Sequence, residues 1–79
     1  MIALCYKDGK KVNHYSFITK IKVDKKYNYY EFHQMIFHHE IIFVRRFNEI
    51  DYIELYENMG DKNPIKVVRA HETSNNFNL

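Results

Sequence analysis

The histidines come nearest to a chemical motif in this chain. His33, His38, His39 and Glu40 give an H-x4-H-H-E spacing. A helical zinc site needs histidines four apart, so that both imidazoles share one face. The residue four after His33 is Phe37, which breaks that pattern. On a strand, His33 and His38 point to opposite faces. His14 and His71 would have to join from distant segments. We therefore read these as turn and surface histidines, and expect no metal and no cofactor. Were two of them to cluster, a pH-dependent interface would be as good a reading as a metal site.

Nucleophiles are equally poorly supported. A catalytic nucleophile needs an activating base within hydrogen-bond reach. Cys5 sits in the apolar run Ile2-Ala3-Leu4-Cys5-Tyr6 and reads as a small core hydrophobe. Ser16 has no flanking glycines of the nucleophile-elbow kind. Glu54 and Glu57 could serve as paired acids. Acidic residues alternating along a strand are more simply its solvated face. The expectation is a protein that is not an enzyme.

Binding chemistry is better represented. Tyrosine and arginine favour interfaces, because each offers contact area and a hydrogen-bonding tip. Seven tyrosines are more than a core this small can satisfy. Tyr27, Tyr29, Tyr30, Arg45 and Arg46 are the candidate protein-interface residues. Lys20, Lys22, Lys25 and Lys26 lie beside the same tyrosines, as in a single-strand stacking platform. They are the candidates for nucleic-acid binding. The acidic stretch from Glu49 to Glu57 would repel a phosphate backbone.

These residues need a scaffold, and the sequence describes one. Between Gly9 and Gly60 there is no glycine and no proline, yet eleven of the thirteen aromatics fall there. Regular elements joined by tight polar turns must fill such a window. Interleaved Ile, Val and Thr favour pleated, half-buried surfaces. The fold class expected is mainly β: a single small antiparallel sheet, or a partly open barrel, of about five to six strands. One short helix over residues 27–37 is the alternative to a strand there.

In detail, residues 2–7 read as a strand and Asp8-Gly9 as a type I′ hairpin turn. A second strand returns through Val12. Over residues 15–24, Phe17, Thr19, Ile21 and Val23 are expected on one face. Ser16, Ile18, Lys20 and Lys22 take the other. Over residues 27–37, odd and even positions divide between two apolar faces. His38-His39-Glu40 is expected as a hairpin turn, followed by a strand over 41–47. Residues 50–56 alternate again, and Asn58-Met59-Gly60-Asp61 is a turn. Pro64 can open a last strand without removing a ladder bond. Residues 1–70 then form one domain, and 71–79 a polar tail that frays unless Phe77 and Leu79 dock.

At 79 residues, the chain holds one core of marginal stability. A single cysteine excludes an internal disulfide. With no signal peptide, it fits a reducing cytoplasm, and the first apolar run is too short to span a membrane. The net charge of +2 is unevenly spread. Residues 1–26 carry +5, residues 27–58 carry −4 and residues 59–79 carry +1. Neighbouring basic and acidic strands are the preferred explanation. A basic face for nucleic acid or an acidic partner is the other.

Residues 47–58, with Gly60 to turn the chain, resemble the ending of small bacterial pleckstrin-homology-like β domains. There an aromatic-x-x-Ile element precedes a strand of the type Tyr/Phe-x-Glu-Leu-x-Glu. The resemblance implies a ligand-binding or protein-binding domain. Lys, Asn, Ile, Tyr and Phe, which have AT-rich codons, are abundant; Gly, Ala, Pro and Trp are scarce. That bias points to a low-GC bacterium, or to a phage or mobile element within one. The leading expectation is a cytoplasmic, non-enzymatic protein-binding domain, in concrete form a phage or mobile-element inhibitor of a host defence protein. The alternatives are a nucleic-acid-binding module and a small adaptor or structural subunit. Edge strands would also let two copies pair as a homodimer.

Overall fold

Asp8 and Gly9 take positive φ, 54° and 77°. That is the type I′ geometry, whose twist suits a two-residue hairpin. They join β1 (Ile2–Lys7) to β2 (Lys10–Tyr15). The computed structural model describes residues 1–71 and the backbone of 76–78. The remaining strands are β3 (Ile18–Asp24), β4 (Tyr29–Ile36), β5 (His39–Arg46), β6 (Tyr52–Tyr56), β7 (Lys66–Arg69) and β8 (Asn76–Asn78). A single 3₁₀ turn, Phe47–Glu49, follows β5.

The fold is all-β, with every ladder antiparallel. The strands form two sheets rather than the single sheet expected, and they do not close into a barrel. Their orders are β2-β1-β6-β7 and β5-β4-β3-β8. The reason lies in the side chains. Ala3 and Cys5 of β1, Ile53 and Leu55 of β6, and Val68 of β7 are buried. They meet Ile18, Ile21, Val23, Tyr30 and Phe32 from β3 and β4 in one core. Each sheet turns an apolar face inward, and stacking covers both of these faces. Tyr15 of β2 bridges the layers, its ring 5.2 Å from Phe32 and 4.7 Å from Phe43.

Residues 27–37 contain no helix. Tyr29–Ile36 is a central strand, with Tyr30 and Phe32 inward and Tyr29, Glu31, His33 and Met35 outward. In β3 the expected alternation slips. The register shifts between Ile18 and Lys20, so Thr19 is the extra residue of a bulge. Ile18 thereby joins Ile21 and Val23 in the core, and Phe17 is exposed. The hairpin turn also lies one residue earlier than expected. Phe37 and His38 form it, and β5 begins at His39.

The turn through Gly60 is present, with φ of 86° at that residue. Of the segment expected as a tail, residues 72–75 and 79 lie outside the described residues. The backbone of Asn76–Asn78 pairs with Lys20–Lys22 of β3. Among the described residues, no helix is long and apolar enough to cross a membrane.

Candidate functional site

The five protein-interface candidates divide between surface and interior. Tyr30 is fully buried in the core, and its hydroxyl reaches the Ile50 carbonyl at 3.5 Å. Inward position follows from strand parity, because Tyr30 shares a face with Phe32. It is therefore removed from the surface set. Arg45 projects from the inner side of its strand, opposite Tyr30 in the ladder, yet its side chain stays 41% exposed. Its Nε donates to the Tyr15 hydroxyl at 2.8 Å, and Glu49 lies 3.6 Å from its Nη1.

Tyr27, Tyr29 and Arg46 do come together. With Asn28, Val44, Phe47 and Asn48 they line an open cleft at one corner of the second sheet. Asp24 builds the corner. Its carboxylate accepts from the backbone N–H of Lys26 at 3.0 Å and of Tyr27 at 2.9 Å. Those bonds hold its pKa below the usual aspartate value, the Tyr27 bond contributing most. The Tyr27 and Tyr29 rings lie 6.5 Å apart and nearly parallel, and Lys26 sits over Tyr27 at 5.2 Å.

The nucleic-acid candidates share this side of the molecule. Lys20 and Lys22 alternate outward along β3, while Lys25 and Lys26 occupy the exposed turn. Acidic groups interrupt them. Lys22 lies opposite Glu31 in the ladder, and Asp24 lies opposite Tyr29. Across the other sheet, Lys7 pairs with Asp51 at 3.1 Å. Neighbouring basic and acidic strands thus account for part of the uneven charge.

The histidines scatter. His33 faces outward on β4, with Nε2 2.7 Å from Glu31 and Nδ1 3.7 Å from Glu40. His38 and His39 are exposed at the hairpin, and His14 lies on the other sheet. Among the described residues, no three His, Cys, Asp or Glu side chains converge to hold an ion. Burial pushes the Cys5 thiol up to about 12, so the buried sulfur stays protonated near neutral pH.

The strongest surface feature was not among the candidate residues. Met35, Phe37, Ile41, Ile42 and Val44 are all exposed, and all lie in the β4–β5 hairpin. Phe37 at the tip is 89% exposed. Both tip residues are left-handed, Phe37 at φ 50° and His38 at φ 66°. Such turns ordinarily take Asn-Gly, and a bulky residue there is strained. Phe17 extends the same end of the sheet. It too is left-handed, at φ 60°, and its carbonyl accepts from the Met35 N–H at 3.1 Å. One sequence signal pointed here, the unbroken apolar run Ile41-Ile42-Phe43-Val44; the two-residue turn at Phe37 and His38, without Gly or Asn, is visible only in the structure.

The opposite face holds a second aromatic group. Tyr6 and Tyr52 stack at 4.9 Å, and the Arg69 guanidinium lies 4.8 Å from the Tyr52 ring. The Tyr56 hydroxyl donates to Glu54 at 2.9 Å. Burial, then the hydrogen bond to Glu54, pushes the Tyr6 phenol up to about 12. These rings and polar tips are engaged with one another, as cross-strand packing pairs are.

Compared with protein-family models, with curated proteins and with solved structures, the chain matches none.

Proposed function

We propose that this chain is a non-catalytic protein-binding domain whose contact surface is the β4–β5 hairpin. One observation carries the reading: an exposed phenylalanine is held in a left-handed turn at the tip of an apolar hairpin. Both its exposure and its backbone are unfavourable in the isolated domain. A partner that buries Phe37 with Met35, Ile42 and Val44 offsets the first cost. Exposed apolar side chains gathered in one hairpin suit an interaction surface, here interleaved with Glu31, His33 and Glu40 of the same face. The Tyr27–Tyr29–Arg46 cleft supplies a polar rim at the other end of β5, a common interface layout. The resemblance of residues 47–58 to pleckstrin-homology-like domains agrees with a binding role. The AT-rich composition suggests the concrete form, an inhibitor of a host defence protein carried by a phage or mobile element.

The test uses Phe37→Asn, a substitution that suits the turn and so leaves the fold at least as stable. Affinity capture from a low-GC bacterial lysate is expected to recover a stoichiometric partner with the native chain. Binding of the purified partner should weaken about tenfold or more with the variant. An inhibitor would also lower that partner's activity in proportion to occupancy. Equal binding by native and variant chains sinks the hairpin assignment.

A second reading is single-stranded nucleic acid at the Tyr27–Tyr29 corner, favoured by the near-parallel rings and by Lys26 over Tyr27. Oligonucleotide binding that falls steeply with salt supports it, and no salt-sensitive binding removes it.

A further inference from the structure

The β5 strand is an edge of the second sheet, and its eight residues pair with β4 without any bulge. Edges in native sheets are commonly blunted by lysine, proline, bulges or short length. The β2 edge carries Lys10, Lys11 and a register shift in its pairing with β1. The β7 edge has four residues, including Lys66 and Arg69. By contrast, β5 is long and unbroken, has no lysine and no proline, carries its charges (Glu40, Arg45 and Arg46) toward its two ends, and exposes Ile41, Ile42 and Val44 between them.

Its backbone polarity is set by the hairpin. A two-residue loop makes Ile36 and His39 a hydrogen-bonded pair, and such pairs alternate along the ladder. The Phe47 N–H donating to the Asn28 carbonyl at 2.9 Å keeps the same parity at the far end. Odd-numbered residues of β5 therefore bond to β4. The N–H and C=O groups of Glu40, Ile42, Val44 and Arg46 point to the open edge.

We propose that this edge pairs antiparallel with the β5 edge of a second copy, centred on Phe43, to give one continuous eight-stranded sheet. Two-fold symmetry requires one residue to face its own copy. With Phe43 at the centre, Ile42 faces Val44 of the second copy, and Glu40 faces its Arg46. Every outward pair is then apolar with apolar or acid with base. Shifting the centre to Ile42 sets Glu40 against Val44, and shifting it to Val44 sets Ile42 against Arg46. On this outer face both alternatives oppose a charge and an aliphatic side chain, so charge complementarity there selects the Phe43 register; on the inner face the same register sets Ile41 beside Arg45, whose Nε is already held by the Tyr15 hydroxyl. Among the described residues, Arg46 has no carboxylate partner within its own chain. Glu40 reaches His33 at 3.7 Å and, among the described residues, no lysine or arginine. The pairing uses the edge of β5, and Phe37 lies beyond the paired segment. A monomeric result would therefore overturn the dimer and leave the proposed partner surface standing.

Sedimentation equilibrium of the full chain tests the pairing. The expected result is two chains per particle. Val44→Pro removes an open-edge N–H while sparing every bond to β4, and should give a monomer with an unchanged far-UV circular dichroism spectrum. Should that variant fail to fold, the charge swaps decide. Glu40→Arg and Arg46→Glu should each weaken dimerisation about tenfold or more, since each creates two like-charge contacts. The double swap should return the dissociation constant to within about threefold of the native value. A native chain that stays monomeric to about 0.5 mM, or a dimer that none of these changes weakens, overturns the proposal.

Discussion

Asp51 joins parts of the chain that are remote in sequence. Its carboxylate accepts from the Asp8 backbone N–H at 2.8 Å and from the Lys7 ammonium at 3.1 Å. Its own N–H donates to the Tyr6 carbonyl at 2.7 Å. The approach to β6 is thus tied to the turn between β1 and β2. The Asp8 N–H, then Lys7, hold the Asp51 carboxyl below its ordinary pKa. A lowered folded-state pKa contributes stability above the unfolded value of about 4, lost as pH falls through the folded value. The urea midpoint of the native chain should therefore drop between about pH 5 and 2.5 more steeply than that of Asp51→Asn. Asp24 shifts in the same direction and leaves a residual slope in the variant. Identical slopes would show that Asp51 is not linked to folding.

At the scale of elements, the β4–β5 hairpin is the segment where local preference and structure disagree most. Eight-residue strands flank a loop that asks Phe37 and His38 for left-handed backbone. Replacing the pair by Asn and Gly should stabilise the domain by about 1–2 kcal/mol, read as a higher urea midpoint at unchanged m-value. A decrease would mean that Phe37 or His38 makes contacts that offset its backbone cost. Strain kept at one turn, beside an Asp8-Gly9 turn of the favoured kind, is expected where function and folding make different demands. The β3 bulge is a second local departure. One extra residue, Thr19, sends Ile18 inward, and its hydroxyl donates to the His33 carbonyl at 3.3 Å.

For the whole molecule, the two sheets share one small core, and no buried side-chain polar atom among the described residues lacks a hydrogen-bond partner. A domain of this size has little stability in reserve. Pairing through β5 would couple folding to association, because the second copy binds only the folded edge. The thermal midpoint should then rise with protein concentration for the native chain and stay constant for Val44→Pro. A concentration-independent native midpoint would argue against dimer-linked stability.

Much of the fold was legible along the chain. The alternation in residues 50–56 showed its own core face, because burial on a strand follows parity, whereas residues 2–7 and 27–37 read as strands with apolar residues on both faces. Asp8-Gly9 and Gly60 announced their turns by chemistry, since glycine accepts positive φ at little cost. The candidate site was legible only in part. Tyr27, Tyr29 and Arg46 were identifiable as surface residues, whereas Tyr30, one position from Tyr29, faces the core by the same parity. The division into two sheets, the bulge at Thr19 and the placement of β5 at an edge depend on contacts between distant segments. An apolar run such as Ile41–Val44 reads alike in a central strand and an edge strand. Only the tertiary structure decided that it is an edge, because exposure is set by which strands fail to find a neighbour.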